Sequence, residues 1–267
     1  MMFTPVVPLG GLPGWTLLSR TIERQTTLFN AGPALQRDTD HFLQSVAGTE
    51  SADDLVSDRR LLRVALGAFG LQDDIDSRAF VRAIIEQGTG SRKALANRLA
   101  DDRYRAFADA FGFLSGDRSG PPPPGFAERI VDQFRRREFE AAVGEQDGAL
   151  RLALNADREL AALGAEDGSD NALWFRILGT PPLRQTFEVA LGLPQSFAQL
   201  DLDRQLVELR SVASRRLDIG SPRDLTDDTL REGLIRQFLL RDQIAGFAAS
   251  SSQTIALTLL QSAPRLF

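Results

Sequence analysis

The chain has 267 residues, a mass of 29.3 kDa, 43 % apolar residues and a net charge of −5. A chain of this size buries roughly three quarters of the surface its unfolded form exposes, so it needs no covalent staples. It has no cysteine and one histidine, His41. Disulfides, thiolate catalysis, cysteine-based zinc or iron–sulfur sites and any site built on two imidazoles are therefore excluded.

Residues 1–118 carry 15 acids and 14 bases, and residues 119–267 carry 21 and 17. Neither half is basic, so no nucleic-acid partner is expected. No apolar run approaches roughly 18 residues, so no membrane span is expected either. Met1 to Trp15 is uncharged and broken by three prolines and three glycines. It lacks the basic start and unbroken apolar stretch of a secretory signal, which leaves a cytoplasmic location as the expectation, with export by a route that reads a disordered N-terminus still open. Residues 1–14 read as a flexible arm. Of 31 basic residues only Lys93 is lysine.

Apolar side chains recur at helical spacing along the rest of the chain. Pro33 to Val46 places Leu35, Phe42, Leu43 and Val46 on one face, with Pro33 suited to a first turn and Gly48 to a stop. Ser51 to Asp54 reads as a capping box with Asp in place of Glu. Asp58 is placed to cap a helix carrying Leu61, Leu62, Ala65, Leu66 and Phe69, which Gly70 ends. Ser77 opens a helix with Phe80, Ile84 and Ile85, closed by Gly88. Ser91 leads to Leu95 and Leu99. Asp101 or Asp102 caps a helix through Tyr104, Phe107 and Phe111, closed by Gly112.

Pro121-Pro-Pro-Pro124 interrupts this pattern. A proline run donates no backbone hydrogen bonds and favours a stiff extended rod. Residues 119–125 are read as a spacer between a first helical half, 15–118, and a second, 126–245. The second half has helices over Phe126–Val143, Gly148–Leu163, Ala172–Leu178 and from Pro181 to Leu191. A further helix carries Leu202, Leu206, Leu209 and Ala213, and another runs from Thr229 to Ile244. Residues 246–267 form a tail with one charged residue, Arg265. There Ile255, Leu257 and Leu259 alternate like a strand. The tail is expected to pack back on the body or to dock on a partner.

Val64-Ala-Leu-Gly67 recurs as Val189-Ala-Leu-Gly192, and Leu99-Ala-Asp-Asp102 as Leu225-Thr-Asp-Asp228. The shared order and spacing suggest a duplicated helical unit. The expected fold is all-α, of many short helices in two related halves.

Chemistry-bearing residues are sparse. His41 has Asp38 and Asp40 nearby in sequence, as a general base would need an orienting carboxylate. Asp73, Asp74 and Asp76 cluster, but a calcium loop needs glycine at its sixth position, where Arg78 stands. Asp201 and Asp203 read the same way. Arg135-Arg-Arg137, followed by Glu138 and Glu140, reads as a solvated face of helical ion pairs. No catalytic, cofactor-binding or metal site is expected.

The stretch from Ser51 to Leu62, Ala65 to Leu71 and Ala79 to Gly88 resembles a bacterial, mostly alphaproteobacterial, family of unknown function. Its pattern is Asp-x-Arg-Leu, then Ala-Phe-Gly-Leu, then Ala-Phe-x-Arg and a closing Gly. The resemblance is sharpest over residues 50–112. Genes of this family often lie among flagellar genes. The resemblance brings no catalytic residues. It implies a context rather than a mechanism; with the absence of a catalytic constellation and the apolar, uncharged termini, the expectation is a non-enzymatic protein tied to flagellar assembly, export or regulation, working through contacts with a flagellar protein partner. The alternatives are a structural part of the flagellar basal body, or an enzyme or small-molecule binder with a pocket between the halves.

Overall fold

The computed structural model describes residues 3–99, 101–115 and 120–262, with side chains described through residue 247. The fold is all-α, and no strand occurs among the described residues. The helices are α1 (Gly11–Asn30), α2 (Pro33–Ser45), α3 (Ala52–Ser57), α4 (Arg59–Phe69), α5 (Arg78–Gln87), α6 (Leu95–Arg98) and α7 (Asp102–Ala110). They continue with α8 (Phe126–Gly144), α9 (Gly148–Gly164), α10 (Asp170–Gly179), α11 (Pro181–Leu191), α12 (Leu202–Leu217) and α13 (Asp228–Ser262). One compact unit is drawn from Met1–Val6 and Leu18–Gln146, the other from Val7–Leu17 and Asp147–Phe267.

In the first unit α2, α4 and α8 pack on one another. Short helices are marginal alone and depend on caps and packing, and both are visible here. The Ser51 hydroxyl accepts from the Asp54 amide (3.1 Å) and the Asp54 carboxylate accepts from the Ser51 amide (3.0 Å), so the capping box closes with Asp. Asp58 accepts from the amides of Arg60 (2.9 Å) and Leu61 (3.1 Å) at the start of α4. Each such cap is worth about 1 kcal/mol.

The C-terminus of α4 is closed by Gly70 in the left-handed region (φ 70°). Gly70 N–H reaches Gly67 O (3.1 Å), and Leu71 N–H reaches Leu66 O (2.9 Å). A side chain at Gly70 would be strained there. Arg137 Nε donates to Ala68 O (2.8 Å) and Arg103 donates to Gly70 O, so two guanidinium groups sit at the negative end of the helix. Phe134 of α8 lies flush on α4 at Gly67, where a Cβ would stand 2.6 Å from its ring. A chain of edge-on rings, Phe69–Phe107 and Phe111–Phe126, carries the core across α4, α7 and α8.

Tyr104 closes the side of this core. Its hydroxyl donates to Asp74 (2.7 Å) and its ring meets Phe80 edge-on at 5.4 Å. Burial, then the Asp74 carboxylate it bonds to, push the phenol up to about 12. The protonated phenol is the form the fold holds. Its contribution is therefore complete below the ordinary phenol value of about 10 and is lost as pH rises through about 12. Tyr104→Phe is expected to cost about 1–2 kcal/mol near neutrality. It should also remove that alkaline loss, as read by urea titrations at about pH 8 and about pH 11.

In the second unit α9, α11 and α13 pack on one another. Phe187, Leu191, Leu234, Ile235 and Phe238 are fully buried, and Trp174 meets Phe187 edge-on at 5.8 Å. α11 ends as α4 does. Gly192 is left-handed (φ 58°), Leu193 N–H reaches Glu188 O (2.9 Å), and Arg216 donates to Leu191 O. The Arg241 guanidinium fills the space where a Gly192 side chain would stand. Residues 7–17 complete this unit: Trp15 is 5 % exposed and its indole N–H donates to Glu232 (2.9 Å).

Three sequence expectations are corrected. The boundary between compact units falls after Gln146, not in the proline run at 119–125, because α8 buries Phe126, Ile130, Val131 and Phe134 in the first unit's core. Residues 3–14 are not a free arm. Val6 N–H donates to the Gln25 amide oxygen (2.7 Å), Gln146 donates to Pro5 O (2.7 Å), and α1 already starts at Gly11. The tail is not a strand: α13 continues to Ser262, since alternation of three residues is outweighed by an uninterrupted helical run with no proline before Pro264. Residues 263–267 and the tail's side-chain packing lie outside the described residues.

Candidate functional site

α13 carries two faces with different fates. Asp227 caps its start, accepting from the Thr229 amide (2.7 Å). Arg231 anchors its first turn, donating to Leu225 O (2.9 Å), Thr226 O (3.0 Å) and Asp157 (3.1 Å). Leu234, Ile235, Phe238 and Leu239 then enter the core with 0 % exposure. Leu240, Ile244 and Phe247 do not, at 43 %, 58 % and 71 % exposure. At 100° per residue these three fall within an arc of about 60°, one stripe on the outer side of the helix. From Gln243 to Pro264 the sequence has no charged residue. The stripe therefore leads into a helical segment with no charge to solvate it. Exposed apolar rows of this kind mark contact surfaces more often than scattered single residues do.

A smaller apolar patch lies at the start of α12. Leu200, Leu202 and Val207 are exposed there. Leu200 and Val207 line an open groove of about 370 Å³ with Asp203, Arg204 and Glu208. Asp201 caps α12 through the Arg204 amide (2.9 Å) and also pairs with the Arg204 guanidinium (3.2 Å).

The residues singled out from sequence do not converge on one site. His41 Nε2 lies 2.6 Å from Asp58 Oδ2, so its partner is the α4 cap and not Asp38 or Asp40. Asp38 pairs with Arg63 (2.8 Å). Burial works against the charge of Asp58. The His41 bond and the two capping amides outweigh it and hold the carboxyl below its usual value. Asp74 takes the Tyr104 hydroxyl and Asp76 pairs with Arg59 (2.8 Å), which disperses the Asp73–Asp76 cluster. Among the described residues no three acidic or imidazole side chains are grouped to hold a metal ion.

The arginine run departs most from its sequence reading. Arg135 donates to the Thr39 hydroxyl (2.9 Å) and Arg137 to Ala68 O, so two of the three point into the unit rather than forming a solvated face. Glu138 bonds Arg63 (3.2 Å). Its burial raises its carboxyl above the usual range, against the pull of Arg63. The sequence signal available was α8's apolar stripe: Arg137 stands three residues after Phe134 and Arg135 four after Val131, both at helical spacing from buried positions.

No helix among the described residues is long and apolar enough to cross a membrane. The fold resembles a crystal structure of an Agrobacterium tumefaciens protein solved as a structural-genomics target. The TM-score is 0.70 at 22 % sequence identity, covering 91 % of this chain and 99 % of that one. No curated protein sequence matches the chain. Residues 68–234 match the family described as a protein of unknown function (DUF1217). The match spans the Asp101 cap of α7 and the positive-φ glycines that end α5 and α11, Gly88 and Gly192. With more than half of its residues inside that match, the chain belongs to the DUF1217 family.

Proposed function

We propose that this protein is a non-enzymatic helical protein that works by docking a protein partner on the outer stripe of α13. The observation that carries the reading is the row Leu240, Ile244 and Phe247, exposed at helical spacing and continued by an uncharged helix. A helix with one face in a core and an apolar row on the other is suited to helix-in-groove recognition. The setting we propose is flagellar assembly, export or regulation. It is supported by the resemblance of Ser51 to Gly88 to a family whose genes often lie among flagellar genes. We also infer that the two units arose by duplication. In support, α4 and α11 each end in a left-handed glycine followed by leucine, each with an arginine on the last carbonyls.

The test replaces Leu240, Ile244 and Phe247 together with serine and compares motility and recovery of tagged protein with purified flagellar export or basal-body components. The expected result is unchanged thermal unfolding, loss of co-purification and reduced motility. Co-purification that survives the triple substitution, or undisturbed motility in a strain lacking the gene, removes the reading. Recovery in intact basal bodies rather than in the soluble fraction would make the protein a structural part of that assembly.

A further inference from the structure

The first unit holds a polar cavity that the docking reading does not use. It has a volume of about 360 Å³ and lies where the C-terminal ends of α5 and α7 come together. Glu86 and Asp109 line it from the last turns of these two helices. The hydroxyl-bearing residues Thr89, Ser91 and Ser115 line it from the loops that follow, and Gly112 leaves one wall bare.

The charge that the described residues bring to the cavity has one sign. Each helix C-terminus carries roughly half a negative charge, and two carboxylates add to it. Asp109 accepts a hydrogen bond from the Thr89 hydroxyl but has no cation beside it among the described residues. Glu86 shares Arg82 with Asp53, at 3.7 Å from its own carboxylate. Among the described residues no arginine or lysine lines the cavity. The described walls therefore repel an anion. A calcium-like ion asks for six to eight oxygens with several carboxylates, and no group of three such residues is present among the described residues. What the walls offer is a set of hydrogen-bond acceptors around two carboxylates, which suits an organic cation with several N–H donors.

We infer that this cavity is a binding site for a guanidinium or alkylammonium group, carried either by a small diamine-type molecule or by an arginine side chain of a partner. Asp109 supplies the charged hydrogen bond, with Thr89 holding its carboxylate in place. Glu86 supplies the second negative charge. Ser91 accepts from a remaining N–H group. The cavity is of the size that small-ligand sites occupy.

The test is calorimetric titration of the full chain with two probes. One is agmatine, the other a short capped peptide with a single internal arginine, and butylurea serves as the uncharged control. Two variants accompany the native chain. Asp109→Asn keeps an acceptor for Thr89 but removes the charge. Gly112→Leu fills the bare wall, and a Cβ at Gly112 meets no atom within 4 Å, so the variant is expected to fold. The expected result is saturable binding of at least one cationic probe and none of butylurea. Both variants should weaken that binding tenfold or more while unfolding at the native temperature within a few degrees. Binding of agmatine alone identifies a free small molecule, and binding of the peptide alone identifies a partner's arginine. No saturable binding of either probe, or binding unmoved by both variants, overturns the inference. Neither result bears on the α13 stripe, whose test uses different residues and a different readout.

Discussion

Trp15→Ala is expected to be among the most damaging single changes in the chain. The indole is 5 % exposed and sits in the second unit, far in sequence from the side chains it meets. Removing a buried tryptophan costs about 3–5 kcal/mol through lost transfer energy and the cavity left behind. The Glu232 carboxylate also loses the indole donor at 2.9 Å. Marginal stabilities of about 5–15 kcal/mol make this a large share of the total. The measurement is a urea or thermal unfolding curve. Trp15→Phe should recover most of the packing loss but not the hydrogen bond, leaving about 1–1.5 kcal/mol unrecovered. A change below about 1 kcal/mol for Trp15→Ala would show that residues 7–17 do not belong to the second unit's folded core.

Phe134→Ala is the second. Its ring is fully buried and rests on the bare backbone of Gly67. The expected cost is again about 3–5 kcal/mol. The contact itself is tested by a pair of changes. Gly67→Ala places a methyl 2.6 Å from the Phe134 ring, and overpacking of this kind costs about 1–3 kcal/mol. In a Phe134→Leu background the ring is gone and the same methyl has room. The two changes should therefore be less costly together than the sum of their separate costs, by about 1 kcal/mol or more. Strict additivity would mean that the ring and the glycine are not in register.

The elements most legible in the sequence were those made by local chemistry. Ser51, Asp58 and Asp101 cap where their side chains reach amides two or three residues on, and Gly70 and Gly192 end helices through bonds to the preceding turn. All of that is written within a few residues of itself. What was not legible depends on distant partners. Pro5 is held by Gln146 and Trp15 by Glu232, across 141 and 217 residues. Nothing in an uncharged, proline-broken segment announces such contacts, so it read as a loose arm. The proline run read as a boundary for the opposite reason: it is a local signal, and the actual division is set by which core α8 fills. The His41 partner was missed because the spacing rule looks along one helix, while Asp58 comes from the cap of another. The polar cavity was invisible because the residues lining it come from two helix ends and the loops after them, with no shared motif.

The assignment of residues 7–17 to the second unit bears on how the chain is made. A ribosome releases this segment well before α9, α11 and α13, which complete its surroundings. Trp15 therefore has no finished core to enter until α13 has been synthesised, while residues 18–146 can assemble among themselves earlier. The two compact units are thus unequal in time. One can form during translation. The other needs residues 7–17 together with segments made more than a hundred residues later, so clipping residues 7–17 should injure the unit that is completed later.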